Sequence, residues 1–174
     1  MDGSDDPAHE SELISRAPTE DDLVNLCRAL NSSGARYIVV GGFAIIQAGL
    51  LRTTSDLDLL VDSSLVNEAK VFSALEILPD KAVRELKQGE IAGYTVVRVA
   101  DEIVVDLMAS TSGIEYEEAA RQVVVRRIQD TDIPFASPRL LWRMKKTTHR
   151  EKDAQDLLFL KQHYAAEIDE ELTA

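Results

Sequence analysis

The sequence predicts an α/β (α+β) domain, a small mixed β-sheet with helices packed against it. Three observations predict it. Short β-branched runs alternate with stretches whose apolar residues recur at helical spacing. The 174 residues, 45% of them hydrophobic, suffice for one domain with a core. No internal repeat and no linker divides the chain. The expected organisation is a flexible acidic tail over 1–17, a single domain over 18–166 and a second acidic tail over 167–174.

The elements follow in order. Residues 1–17 are polar, acid-rich and aperiodic. Thr19 can cap a helix, with Asp22 three residues on and acids suited to its positive end. Leu23, Leu26, Cys27 and Leu30 form its apolar stripe, and Ser32, Ser33 and Gly34 end it. Tyr37 to Val40 reads as a strand, 43–50 as a short helix and 57–61 as a second strand. Ser64 opens a helix whose expected inner face carries Val66, Ala69, Phe72 and Leu75; Pro79 lies past its end. Residues 81–90 are ambiguous between strand and irregular turn. Segments 94–99 and 102–108 read as a hairpin turning at Ala100 and Asp101. A short helix over 115–122 and strands over 123–128 and 133–136 follow. Ser137 and Pro138 suit a helix start, since proline fits the first helical position. Residues 152–164 form the last strong helix.

Composition excludes several classes. Asp and Glu outnumber Lys and Arg by 31 to 19, for a net charge of −12, which is wrong for a general nucleic-acid binder. Cys27 is alone, so no disulfide forms within the chain and a cysteine-based zinc site is not expected. No apolar run approaches the ~20 residues of a membrane span, and residues 1–12 lack the pattern of a signal peptide. The expectation is a soluble, cytoplasmic protein with no membrane partner.

The chemistry concentrates in two stretches. Asp56 and Asp58 are one residue apart on an expected strand, so both carboxylates point to one face while Leu57, Leu59 and Val61 point to the other. Like charges held that close call for a compensating cation. Asp106, in the middle of the apolar strand 102–108, is costly to bury as an ion and fits the same plan. Three carboxylates without Cys or His suit Mg²⁺ or Mn²⁺. Two such ions could align a hydroxyl with a nucleotide α-phosphate. Gly41 and Gly42, between a strand and a helix, allow a tight turn, and the helix N-terminus can present N–H groups to phosphate. Each feature has a plainer reading. The glycines could be an ordinary turn, Asp56 and Asp58 a solvated strand edge, and Asp106 the partner of an arginine.

Gly41-Gly42, thirteen residues, then Asp56-Leu57-Asp58 resembles the signature of the polymerase β-like nucleotidyltransferase superfamily, and Asp106 looks like its third carboxylate. The Gly-Gly-Phe-Ala opening and Arg52-x-Thr-x-x-Asp look closer to minimal bacterial nucleotidyltransferases, including abortive-infection and toxin–antitoxin enzymes. The segments from Ser137 to Lys145 and from Arg150 to Leu157 also match. The resemblance implies the polymerase β-like fold plus C-terminal helices, with Asp56, Asp58 and Asp106 as metal ligands. It implies Arg52, Lys145 and Lys146 on phosphates, and Asp153 or Asp156 as the group that orients or deprotonates the acceptor. Many relatives have Gly-Ser, so the serine's phosphate contact would come here from backbone, Thr53 or Thr54. A plainer role for Arg52 is an ion pair with Asp56; for Asp153 and Asp156 it is capping and i,i+3 or i,i+4 pairing. Haloacid-dehalogenase phosphatases also carry Asp-x-Asp, but they expect a Thr where Leu59 and Leu60 stand.

Two functions follow as expectations. One is an enzyme moving a nucleoside monophosphate from an NTP to a hydroxyl on a tRNA 3′ end, a protein or a small molecule. The basic run Arg139, Arg143, Lys145, Lys146, Arg150 and Lys152 suits an anionic substrate, or is simply a solvated helix face. The other is a non-catalytic nucleotide-binding antitoxin or regulatory subunit meeting a cognate toxin or antitoxin partner.

Overall fold

Thr19 starts the first helix as its sequence predicts. Its hydroxyl accepts from the Asp22 N–H while the Asp22 carboxylate accepts from the Thr19 N–H, a reciprocal cap on α1 (Glu20–Ser33). The computed structural model describes residues 14–172, with side chains through Asp169. Gly34, left-handed at φ 72°, ends α1. There follow β1 (Tyr37–Val40), α2 (Gly41–Ala48), β2 (Asp56–Val61) and α3 (Leu65–Leu75). The ambiguous 81–90 stretch becomes a 3₁₀ turn (Ala82–Glu85) leading into the one-turn α4 (Glu90–Gly93). Next come β3 (Val97–Ala100), β4 (Val104–Met108), the small pair β5 (Ser110–Thr111) and β6 (Ile114–Glu115), and α5 (Tyr116–Ala119). The chain closes with β7 (Val123–Ile128), β8 (Thr131–Ala136), α6 (Pro138–Lys145), α7 (Glu151–His163) and α8 (Ala165–Leu172).

Six strands form one mixed sheet in the order β3-β4-β2-β1-β8-β7. The expected hairpin is β3–β4, with Val97 opposite Leu107 and Ala100 opposite Val104. β7 and β8 form a second hairpin. Its two turn residues, Gln129 and Asp130, both have positive φ, the combination whose twist matches paired strands. β2 runs antiparallel to β1 and parallel to β4. α1 packs on α3 and β8, and α2 packs on β1, β2 and α6, which in turn meets α7 and α8. Buried apolar side chains from nearly every element form one cluster, centred on β1, β2 and β4. No helix among the described residues is long and apolar enough to cross a membrane.

Three expectations change. α3 buries Val71, Ala74 and Leu75 together with Asn67 and Glu68, not the face through Val66, which is 71% exposed. The polar pair is buried because it bonds backbone. Asn67 accepts from the Arg36 N–H and donates to the Arg36 and Asp62 carbonyls, while Glu68 accepts from the Gly89 and Ile91 N–H groups. Residues 167–172, expected as a tail, lie in α8, whose Ile168 is buried in the core. The tail expected over 1–17 falls mostly on residues 1–13, outside the described residues. Ser15 and Arg16 are held by the β3–β4 turn: the Ser15 hydroxyl donates to the Asp101 carbonyl and the Arg16 N–H to that of Glu102.

Candidate metal and nucleotide site

Sheet register builds the acidic centre. Asp58 lies opposite Asp106 across β2–β4, Asp106 opposite Arg98 across β3–β4, and Val40 opposite Asp58 across β1–β2. Arg98, Asp106, Asp58 and Val40 therefore form one row across four strands, and Asp56 stands two residues from Asp58 on the same face. Each of Asp56, Asp58 and Asp106 offers a carboxylate oxygen within 4.8 Å of the others.

Such a cluster is electrostatically unfavourable by itself. Burial, then the charges of Asp56 and Asp106, push the Asp58 carboxyl up to about 7 against the pull of Lys152 and Lys145. Burial, then Asp106, raise that of Asp56 as well. Two carboxyls held up by burial and by neighbouring acids, and three all-oxygen donors close enough to share one ion, fit a hard divalent cation such as Mg²⁺ or Mn²⁺. Asp106 is also paired with an arginine, as the plainer reading of its sequence allowed. Arg98 donates from Nε and Nη2 to its two oxygens at 2.9 and 3.0 Å.

The glycine pair opens α2 rather than forming a separate turn. Gly41 has φ 66°, a left-handed conformation, and a Cβ there would overlap the Asp58 carboxylate. A Cβ on Gly42 would overlap the Thr54 side chain. The strand–helix junction can thus lie directly against the acids and the 51–55 loop. No side chain caps the N-terminus of α2, where Val40 is the N-cap.

The cations are arranged by α7. Asp153 and Asp156, both with side chains 0% exposed, hold Lys145 at 2.9 and 3.0 Å. Asp156 also pairs with Arg52, and Asp153 accepts from the Thr148 hydroxyl and from Arg150. Burial acts to raise the Asp153 carboxyl, but the bonds from Thr148, Lys145 and Arg150 outweigh it and hold it down at about 2. Asp153 and Asp156, to which the resemblance gives the acceptor-activating role, lie on α7 facing these cations. Both carboxylates are buried against cations and stand behind the residues that line the two cavities at the triad. Arg52 pairs with Asp156, not with Asp56.

Two cavities meet at the triad. The larger, about 390 Å³, is lined by Gly41, Gly42, Arg52, Thr53 and Thr54, and by the further cations Arg98, Lys145, Arg150 and Lys152. The smaller, about 150 Å³, shares Gly41, Asp58, Asp106, Lys145 and Arg150 and adds the apolar Val96, Met108, Leu141 and Met144. Thr54 donates its hydroxyl to the Asp56 carbonyl, which orders the loop before β2. Lys146 is exposed at the C-cap of α6 and lines neither cavity. Arg98 was missed by sequence reasoning. Its signal is a charge in the alternating Val97-Arg98-Val99 run, but only strand register tells which acid it meets.

The six-stranded mixed sheet with helices packed on it is a nucleotidyltransferase-like fold. Among solved structures, the chain is similar to an antigenic nucleotidyltransferase-like protein from Paracoccidioides brasiliensis. The TM-score is 0.51 at 17% identity, over 84% of this chain and 78% of that one. It is also similar to a candidate nucleotidyltransferase from Thermotoga maritima, with a TM-score of 0.45 at 14% identity over 90% of this chain and 96% of that one. No protein-family model matches the chain, and no curated protein matches it by sequence.

Proposed function

We propose that the protein is a metal-dependent nucleotidyltransferase that moves a nucleoside monophosphate from an NTP to a hydroxyl acceptor. The observation that carries this reading is the trio Asp56, Asp58 and Asp106, with oxygens within 4.8 Å, set against the glycine-opened start of α2. Mg²⁺ or Mn²⁺ held there would polarise the α-phosphate and stabilise the leaving pyrophosphate.

The chain's own residues do the rest. The larger cavity concentrates positive charge in an acidic protein, which suits a polyphosphate: Arg52, Arg98, Lys145, Arg150 and Lys152 face it, with hydroxyls from Thr53 and Thr54. The start of α2, capped by no side chain, leaves N–H groups that the same anion would satisfy. The smaller cavity, half apolar, suits the nucleobase or the acceptor. The acceptor oxygen bonds to the α-phosphorus as the bond to the β-phosphate oxygen breaks. The only acids lining either cavity are those of the triad, so a triad carboxylate takes the hydroxyl proton. Asp153 and Asp156 act behind the site by fixing Lys145 and Arg52. The motif likeness to minimal bacterial nucleotidyltransferases leaves a tRNA 3′ end, a protein or a small molecule as the acceptor, and a toxin or antitoxin as a cognate partner.

Incubation with each of the four α-labelled NTPs, Mg²⁺ or Mn²⁺ and a cell extract tests the reading, with Asp56→Ala/Asp58→Ala as control. Label should move to an acceptor only with metal and only in the wild type. Nucleotide binding without transfer under either metal would overturn the enzyme in favour of a nucleotide-binding regulatory protein.

A further inference from the structure

The arrangement around Arg98 carries an inference that rests on the metal site just proposed. We propose that Arg98 is an exchangeable counter-cation of the triad: it holds the acids together in the metal-free protein and competes with the divalent ion. When ion and polyphosphate arrive together, it turns away to the phosphate.

Arg98 makes three hydrogen bonds to the acids. Nε and Nη2 form a fork on both oxygens of Asp106, and Nη2 also reaches Asp56 Oδ2 at 3.3 Å. Those are oxygens that a cation shared by the three acids would draw on. A guanidinium in that position and a divalent ion among the same carboxylates repel each other at short range.

The other cations of the cleft are differently placed. Arg52 and Lys145 are held by Asp156, and Lys145 and Arg150 by Asp153, all through buried carboxylates of α7. Lys152, the fifth, acts on Asp56 and Asp58 through its charge; among the described residues, Arg98 is the one of the five that hydrogen-bonds the triad. It is also built to leave. Its side chain is 61% exposed, on the edge strand β3, while Asp106 beneath it is 9% exposed and fixed in the sheet. It lines the larger cavity, where an anion would give the displaced guanidinium a new partner. An ion arriving alone displaces Arg98 without offering it one. An ion arriving with polyphosphate does, so the two ligands bind with positive coupling through this side chain.

Mn²⁺ binding to the full chain, read from the free-ion electron paramagnetic resonance signal at neutral pH, tests this. The proteins are the wild type, Arg98→Met, Arg98→Gln and, as blank, Asp56→Ala/Asp58→Ala. Both Arg98 variants should bind Mn²⁺ alone on the order of tenfold more tightly than the wild type. Their melting temperatures in EDTA should lie below the wild type's, with the gap closing as Mn²⁺ is added. Inorganic tripolyphosphate should tighten Mn²⁺ binding more in the wild type than in either variant. Equal or weaker Mn²⁺ binding by a folded Arg98 variant overturns the role of Arg98 and leaves the metal site standing. Binding no better than the blank in the wild type and in both Arg98 variants overturns the metal site, and this inference with it.

Discussion

Gly41 and Asp58 show how closely single residues constrain the site. The left-handed Gly41 lies so near the Asp58 carboxylate that any side chain would collide with it. Gly41→Ala is expected to lose roughly 1–3 kcal/mol in urea denaturation through backbone strain and overlap. Label transfer should fall on the order of 100-fold as Asp58 is displaced. Asp58 also makes a pH prediction. Its folded carboxyl, pushed up to about 7, lies above its unfolded value, so the folded state binds more protons between about pH 4 and about pH 7. Stability in EDTA should therefore fall as pH rises across that window. Asp58→Asn should flatten the fall and melt higher than wild type at neutral pH without metal; melting curves against pH in EDTA check both. The triad was legible in sequence because alternation on a strand puts Asp56 and Asp58 on one face and makes Asp106 an anomaly among valines and leucines. Arg98 was not, because its meaning depends on which strand lies beside β4.

At the scale of elements, the junction of α6 and α7 is an ionic joint. α7 buries Asp153, Asp156 and Leu160 on one face, and the two acids seat Lys145 from α6 and Arg52 from the loop before β2. Asp156→Ala leaves both cations short of a partner and is expected to cost about 3–5 kcal/mol in urea denaturation. Asp156→Asn should cost less, since it still accepts one bond. Asp153 gives the junction an acid limb: with its carboxyl held down at about 2, its contribution is complete above about pH 4 and is lost as pH falls toward 2. Helices α1, α3 and α6 were readable from caps and periodicity, at Thr19, Ser64 and Ser137; α8, on residues that read as a tail, was not. Their inner faces were less so. Asn67 and Glu68 are buried on α3 because they bond backbone of neighbouring segments, a reason no apolar periodicity records. Asp153 and Asp156 likewise look like surface acids in sequence and are buried by partners distant along the chain.

For the molecule as a whole, charge is divided unevenly. The chain carries −12, yet the cleft beside the triad is faced by Arg52, Arg98, Lys145, Arg150 and Lys152. Nucleotide affinity is therefore expected to weaken as salt rises from low to molar concentration, measured by titration calorimetry with Mn²⁺ present. Mn²⁺ and NTP together should raise the melting temperature, about 2.7 kcal/mol of added stability at a hundredfold excess over Kd. Asp56→Ala/Asp58→Ala should lose most of that gain. Far from the cleft, the Tyr164 hydroxyl donates to the Ala48 carbonyl at the C-terminal end of α2, and Ile168 on α8 is seated in the core. The same short helix whose first turn meets the acids is thus anchored at its far end by the last segment of the fold. Proteolytic trimming back past residue 164 should loosen that anchor and blunt nucleotide binding, although none of the described residues it removes lines the cleft.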